Sequence, residues 1–265
     1  MTTHALVTGA SAGLGTHFAE ALAKEGKAVV LVARRQDRLD AIAADLTHRF
    51  GTVATAIVMD LSTAEAPRRL FGELQDRGIA IDTLVNNAGF GMRGGFTSID
   101  LTRQCEMVDL NCRTLMALCH LALPDMIARK NGAILNLASV AAFLPGPYMS
   151  TYYATKAFVL SLSQALHEEV KDKGVRVTAL CPGPTDTEFA EVAGLSNSKL
   201  FQANVADAAS VVKEGMAALK SNQAIALPGL MNRMMVAGLR FAPRGFARRT
   251  AMHLQKARGD GSGVE

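Results

Sequence analysis

Cysteine is scarce in this chain of 265 residues: four are present, Cys105, Cys112, Cys119 and Cys181, and none forms a CxxC pair. The first three stand seven apart, two helical turns, which predicts one shared helix face with about 10 Å between neighbours. That spacing is wrong for a disulfide and too wide for a shared metal. The thiols therefore read as small apolar fillers of a reduced, cytoplasmic protein. The six histidines are scattered without an HxxxH pattern, so no metal site is expected. No run approaches the ~20 apolar residues that a membrane span needs. Met1 to His4 lead straight into Ala5-Leu6-Val7, which reads as a first strand and not as a secretory leader. There is no repeat at a solenoid period and no low-complexity tract.

Acidic residues are missing from one region. Gly229 to Arg258 carry seven Arg or Lys and no Asp or Glu, within an overall net charge of +4. Residues 1–228 hold 21 basic against 22 acidic side chains, a near-neutral body that argues against nucleic acid as a partner. What remains is ample for a core: 49% of residues are hydrophobic and 20% charged, which excludes disorder.

Short apolar runs alternate with longer segments of helical period. The strands expected are His4–Thr8, Ala28–Ala33, Ala54–Met59, Thr83–Asn86, Ala133–Ala138, Val175–Cys181 and Ala224–Leu227. The clearest helices are Leu14–Glu25, Asp37–Arg49 and Tyr152–Lys173. This alternation predicts an α/β fold, a single Rossmann-type doubly wound parallel sheet of about seven strands with helices on both faces. It occupies residues 1–228, and residues 229–265 follow as a basic, Met-rich helical extension.

Three groups of residues point to chemistry. The first expected strand ends in Thr8-Gly9-Ala10-Ser11-Ala12-Gly13-Leu14-Gly15, just before a helix. Gly9, Gly13 and Gly15, with Ser11 and Leu14 between them, allow a sharp turn and the approach of backbone N–H groups to a pyrophosphate. The same loop also reads as a tight strand-to-helix turn without a ligand. The second strand ends in Ala33-Arg34-Arg35, where an NAD site would place an acid. Arginine suits a 2′-phosphate, though Arg34 and Arg35 also read as solvated charges opening a helix. Finally, Tyr152 and Lys156 stand one helical turn apart, where an ammonium favours a phenolate. Tyr153 is an alternative to Tyr152. Ser139 follows the fifth strand, at the sheet edge where open α/β folds bind ligands.

Together with Asn86-Asn87-Ala88-Gly89, Asn111 and Pro182-Gly183, these motifs resemble the short-chain dehydrogenase/reductase family over roughly residues 1–228, in order and at family-like spacing. Within it the chain looks similar to a bacterial subgroup related to 3-oxoacyl reductases. The resemblance implies an enzyme that transfers hydride between nicotinamide and a carbonyl or alcohol carbon. It implies Tyr152 as acid/base, with Lys156 lowering its pKa and holding the nicotinamide ribose. Ser139 would bond the substrate oxygen, and Asn111 would hold a helix bend and a water. Asn87, Ala88 and Gly89 would flank the ribose, Asp60 would touch the adenine, and Pro182, Gly183 and Thr187 would lie along the nicotinamide, with Thr187 at the carboxamide. The gap from Ser139 to Tyr152 favours Tyr152 over Tyr153.

Some NADP-preferring members carry a basic residue where this chain has Ala12, so the expectation of NADP(H) over NAD(H) rests on Arg34 and Arg35. Apolar Phe90, Met92, Phe143, Leu144, Pro145, Tyr148 and Phe189 lie near the motifs and predict a hydrophobic substrate. A catalytically silent NADP(H) sensor or scaffold is the alternative from another class, although such proteins would be expected to lose Ser, Tyr or Lys from the set. The expected assembly is a homodimer or homotetramer. The tail is expected to pack its stripe of Leu230, Met231, Met234, Met235 and Leu239 on the domain or a second subunit, covering the substrate side or an oligomer interface. Contact of this tail with a membrane surface is the less favoured reading.

Overall fold

A computed structural model describes residues 3–194, 205–239 and 241–255. Each of the seven expected strands forms: β1 (Thr3–Thr8), β2 (Ala28–Ala33), β3 (Ala54–Val58), β4 (Ala80–Asn86), β5 (Gly132–Leu137), β6 (Val175–Leu180) and β7 (Ile225–Ala226). They make one parallel sheet in the order β3-β2-β1-β4-β5-β6-β7. The middle strands read as unbroken apolar runs because both faces are covered. Every residue of β2 is buried.

The pleat sorts these residues between two cores. Leu6 of β1 joins one, with Val30 and Val32; Ala5 and Val7 point the other way, with Val29 and Leu31. On the second face lie α1 (Leu14–Lys24), α2 (Gln36–Phe50) and, beyond the short α7 (Phe189–Val192), α8 (Ala208–Lys220); α1, α2 and α8 contribute Phe18, Leu39 and Val212. The first is covered by α3 (Ala66–Asp76), α5 (Leu115–Ala128) and α6 (Ser150–Val170), through Leu70, Leu118 and Val159. The strand order reverses between β1 and β4. Connections there leave to opposite faces and open a crevice above the carboxyl ends.

Helix α4 (Leu101–Val108) runs without a break through a π-helical segment, Asp109–Thr114, into α5. This π turn changes the expectation for the cysteines. A π turn slips the helical register, so a seven-residue interval no longer returns to the same face. Cys105 is exposed, Cys112 is half-buried and Cys119 is buried. Only Cys119 and Cys181 are the fillers expected of all four.

The tail forms two helices, α9 (Leu230–Leu239) and α10 (Arg244–Gln255), with Pro243 between them. Part of its attachment is polar. Asn232 Nδ2 donates to Pro228 O at 2.7 Å, and Arg233 donates to Leu227 O at 2.8 Å and pairs with Glu214 at 2.9 Å. Of the stripe expected to pack on the domain or a second subunit, Leu230, Met231 and Met234 are 71%, 61% and 53% exposed on the single chain. Among the described residues no helix is long and apolar enough to cross a membrane.

Candidate active site

The glycine-rich loop is built by crowding. Gly13 precedes α1 at φ 55°, ψ −136°, a backbone conformation that a side chain resists. A Cβ on Gly15 would stand 2.2 Å from Gly9 O and 2.7 Å from Asn87 Nδ2. The loop after β4 is thereby clamped to the loop after β1. Asn87 Nδ2 donates to Thr8 O and Gly9 O at 2.9 and 3.1 Å, and the backbone N–H groups of Asn87 and Ala88 both donate to Thr8 Oγ1 at 3.0 Å. Thr8, read in the sequence only as the start of the glycine-rich motif, is the residue that holds the two loops together. The first turn of α1 carries no side-chain cap and no acid. Its N–H groups are thus open to an anion, with the helix dipole behind them.

One cavity of about 570 Å³ runs along this edge. It is lined by Gly9, Ser11, Gly13, Leu14, Arg34, Arg35, Asp60, Asn87, Ala88, Gly89, Pro182, Gly183 and Thr187, and also by Ser139, Tyr152 and Lys156. Gly15 and Asn111 support the cavity without lining it. Arg34 follows β2 and Ser139 follows β5, three strand spacings apart, or about 14 Å at the usual interstrand distance. That separation suits an extended dinucleotide with its adenosine end at Arg34 and its nicotinamide near Ser139. Asp60 accepts from the Ser62 N–H and hydroxyl at 2.9 and 2.8 Å. The Ser62 backbone bond is the main influence holding its carboxyl below the usual range, with Arg34 adding to it. Arg35 donates to Ser11 Oγ at 3.2 and 3.1 Å.

At the β5 end, α6 presents Tyr152 and Lys156 on one face, both buried. Lys156 Nζ donates to Leu137 O at 2.7 Å and lies 5.8 Å from the Tyr152 ring centroid. Burial pushes the ammonium down to about 8. Burial also pushes the Tyr152 phenol above its usual value, partly offset by a hydrogen bond with the Ser139 hydroxyl, while Tyr153 adds to the rise. The helical spacing of Tyr152 and Lys156 suggested a lowered phenol; it carried no information on burial, which here is the larger effect. Tyr153 also reaches the cavity, and its ring fills the space a side chain at Gly146 would need.

Asn111 sits in the π segment. Its amide donates to Phe90 O at 2.9 Å and to Thr155 Oγ1 at 3.1 Å, and its oxygen accepts from Phe90 N at 3.1 Å. Gly89 lies alongside: a Cβ there would be 2.8 Å from Asn111 Oδ1 and 3.8 Å from Lys156 Nζ. Of the apolar residues expected around the substrate, Phe90, Leu144 and Phe189 line the cavity. Phe143 packs instead against the main core, and Met92 against the cluster of Met107, Met149 and Tyr152. Leu110 and Met149 line the cavity unannounced, and so do Met235 and Ala251 of the tail, the segment expected to cover the substrate side or an oligomer interface.

A family model described as short chain dehydrogenase matches residues 3–197. Among curated proteins, the chain is similar to the very-long-chain 3-oxoacyl-CoA reductase of Bos taurus, 34% identical over 192 residues. The match covers 71% of this chain and only 61% of that relative's length. Among solved structures, it resembles a short-chain dehydrogenase from Sphingobium yanoikuyae in complex with NADPH, with 31% identity and a TM-score of 0.82 over 99% of each chain. It also resembles the bulky-bulky ketone specific alcohol dehydrogenase from Comamonas testosteroni, with 30% identity and a TM-score of 0.76 over 91% of this chain and 95% of that one. Sheet order and matched residues agree: the chain belongs to the short-chain dehydrogenase family.

Proposed function

We propose that the chain is an NADP(H)-preferring carbonyl reductase or alcohol dehydrogenase for bulky, hydrophobic substrates, with Tyr152 as the proton-transferring residue. One observation carries this reading. A single cavity has Arg34 and Arg35 at one end and Ser139, Tyr152 and Lys156 among apolar side chains at the other. Each side chain has a physical task. The uncapped first turn of α1 and the loop Ser11–Leu14 take the pyrophosphate, and Arg34 and Arg35 take a 2′-phosphate. Asn87 to Gly89 and Thr187 flank the ribose and carboxamide. The nicotinamide, when bound, supplies or receives the hydride.

In reduction, Ser139 donates a hydrogen bond to the substrate oxygen, which gains negative charge as its carbon is reduced. Tyr152 gives that oxygen its proton. Lys156, still mostly charged at neutral pH, stabilises the phenolate left behind. Phe90, Leu144, Phe189 and Met235 exclude water and bury the substrate's apolar groups. The NADPH bound to the Sphingobium protein and the bulky-bulky ketones named for the Comamonas enzyme support both halves of this reading.

The decisive experiment is a screen of NADPH and NADH oxidation against bulky aryl ketones, aldehydes, 3-oxoacyl thioesters and sugars. NADPH with a bulky ketone is the expected combination. Arg34→Ala is expected to weaken NADPH about tenfold or more and NADH little, since a hydrogen bond to a charged group contributes roughly 1.5–3 kcal/mol. Equal use of both cofactors by the unmodified protein, or turnover of polar carbonyls alone, would overturn the reading.

A further inference from the structure

The segment after β6 crosses the front of the glycine-rich loop: Thr187 Cβ lies 3.1 Å from the place a Cβ on Gly13 would take. The next residue, Glu188, reaches the far side of the groove. Its carboxylate accepts from Arg35 NH1 at 3.0 Å and from Arg38 NH1 at 2.6 Å. The other edge of Arg35 is already engaged, since Nε and NH2 donate to Ser11 Oγ and NH2 also donates to Ser11 O at 3.3 Å. One guanidinium thus ties together the glycine-rich loop, the end of β2 and the segment after β6. Its remaining edge is occupied by a carboxylate.

That carboxylate has the chemistry of the group Arg35 would receive. Carboxylate and phosphate are both anions that accept charge-assisted bonds from a guanidinium fork. An adenosine carrying a 2′-phosphate brings a charge of about −1.5 to −2 beside Glu188, as any phosphate monoester does near neutral pH. It must share Arg35 or displace Glu188 from it. A 2′-hydroxyl brings no charge and makes no such demand.

We propose that Glu188 is a specificity-determining residue that acts against the 2′-phosphate: it holds Arg35 and Arg38 in an ion pair that NADP(H) must break or share and NAD(H) need not. The inference rests on the reading of Arg34 and Arg35 as the phosphate end of the groove. Its size is bounded by solvent. The side chains of Arg35, Arg38 and Glu188 are 41%, 48% and 44% exposed, so water and salt screen the pair. Exposed pairs of this kind correspond to about twofold to fivefold in affinity.

The test is titration of the full-length protein and of Glu188→Gln and Glu188→Ala with NADPH, NADH, 2′-AMP and AMP, at low and physiological salt. Both variants are expected to bind NADPH and 2′-AMP about twofold to fivefold more tightly. NADH and AMP should be unchanged, and the gain should shrink as salt rises. Unchanged or weaker binding of 2′-AMP in both variants, or an equal gain for AMP, overturns the proposal. Failure of the underlying NADP(H) reading looks different, because the unmodified protein would then bind NADH as tightly as NADPH. In that case a selective gain for 2′-AMP in the variants still supports the role of Glu188.

Discussion

Burial acts on Tyr152 and Lys156 in opposite senses, and the two together set the pH behaviour expected of the site. Desolvation disfavours whichever form is charged, so it keeps the phenol protonated and loosens the proton on the ammonium. Reduction needs Tyr152 protonated and Lys156 charged. The first condition holds throughout the neutral range. The second holds below about 8, where the ammonium titrates. Reductive kcat/KM is therefore expected to stay level up to about that pH and to fall above it. The oxidative rate, which needs the phenol to give up its proton, should climb with pH. A pH–rate profile in both directions checks this, and a reductive profile flat to strong alkali would contradict it. Tyr152→Phe should keep its dinucleotide affinity but lose about a hundredfold or more in turnover, the usual range for a general acid. Tyr153→Phe should retain most activity, and steady-state kinetics on the two variants separates them. The juxtaposition of Tyr152 and Lys156 was legible in the sequence because they lie one helical turn apart, where spacing fixes geometry, whereas their roles came from the family resemblance. Glu188 was not legible. Its partners Arg35 and Arg38 lie some 150 positions away, and nothing local records the encounter.

At the scale of elements, strands and major helices could be read from periodicity because both faces of the sheet are covered. Continuous apolar runs flanked by turn residues had few other solutions. The π segment Asp109–Thr114 escaped that reading, since one slipped turn leaves the apolar pattern of α4 and α5 nearly intact. Its consequence is local and sharp. Asn111 takes both backbone hydrogen-bonding groups of Phe90 and the hydroxyl of Thr155, tying the loop after β4 to α6. Asn111→Ala removes a partner from the buried Thr155 hydroxyl and from the half-buried backbone groups of Phe90, at roughly 1–3 kcal/mol in total if one of them is left unsatisfied. Urea unfolding of the variant should show that loss in its midpoint with the slope unchanged. Since Phe90 and Gly89 border the cavity, dinucleotide affinity should drop as well. A variant as stable as the parent would mean that the loop is held by other contacts.

On the scale of the whole molecule, the sheet grows outward from its first strand. β1 pairs with β2 on one side and with β4 on the other, and the rest add at the edges. The extension was readable as two helices broken at Pro243 and as a cover for the substrate side or an interface, but not which of its residues reach the cavity: Met235 and Ala251 do so by tertiary packing, which periodicity does not encode. Truncation after Pro228 should leave NADPH binding within a few-fold of the parent, because the dinucleotide-facing residues all lie earlier in the chain. It should raise KM for bulky ketones far more than it lowers kcat, and steady-state kinetics on the truncated protein tests this. Preserved KM would show that Met235 and Ala251 contribute no recognition. The division has a consequence for ancestry and for engineering. The reacting groups and the hydride carrier's seat are written into the sheet and its six crossovers, where change disturbs the core. One side of the chamber that admits the second reactant is written into the stretch after Pro228. Exchange of that stretch between related enzymes is therefore a route to new selectivity that leaves the inherited reaction in place.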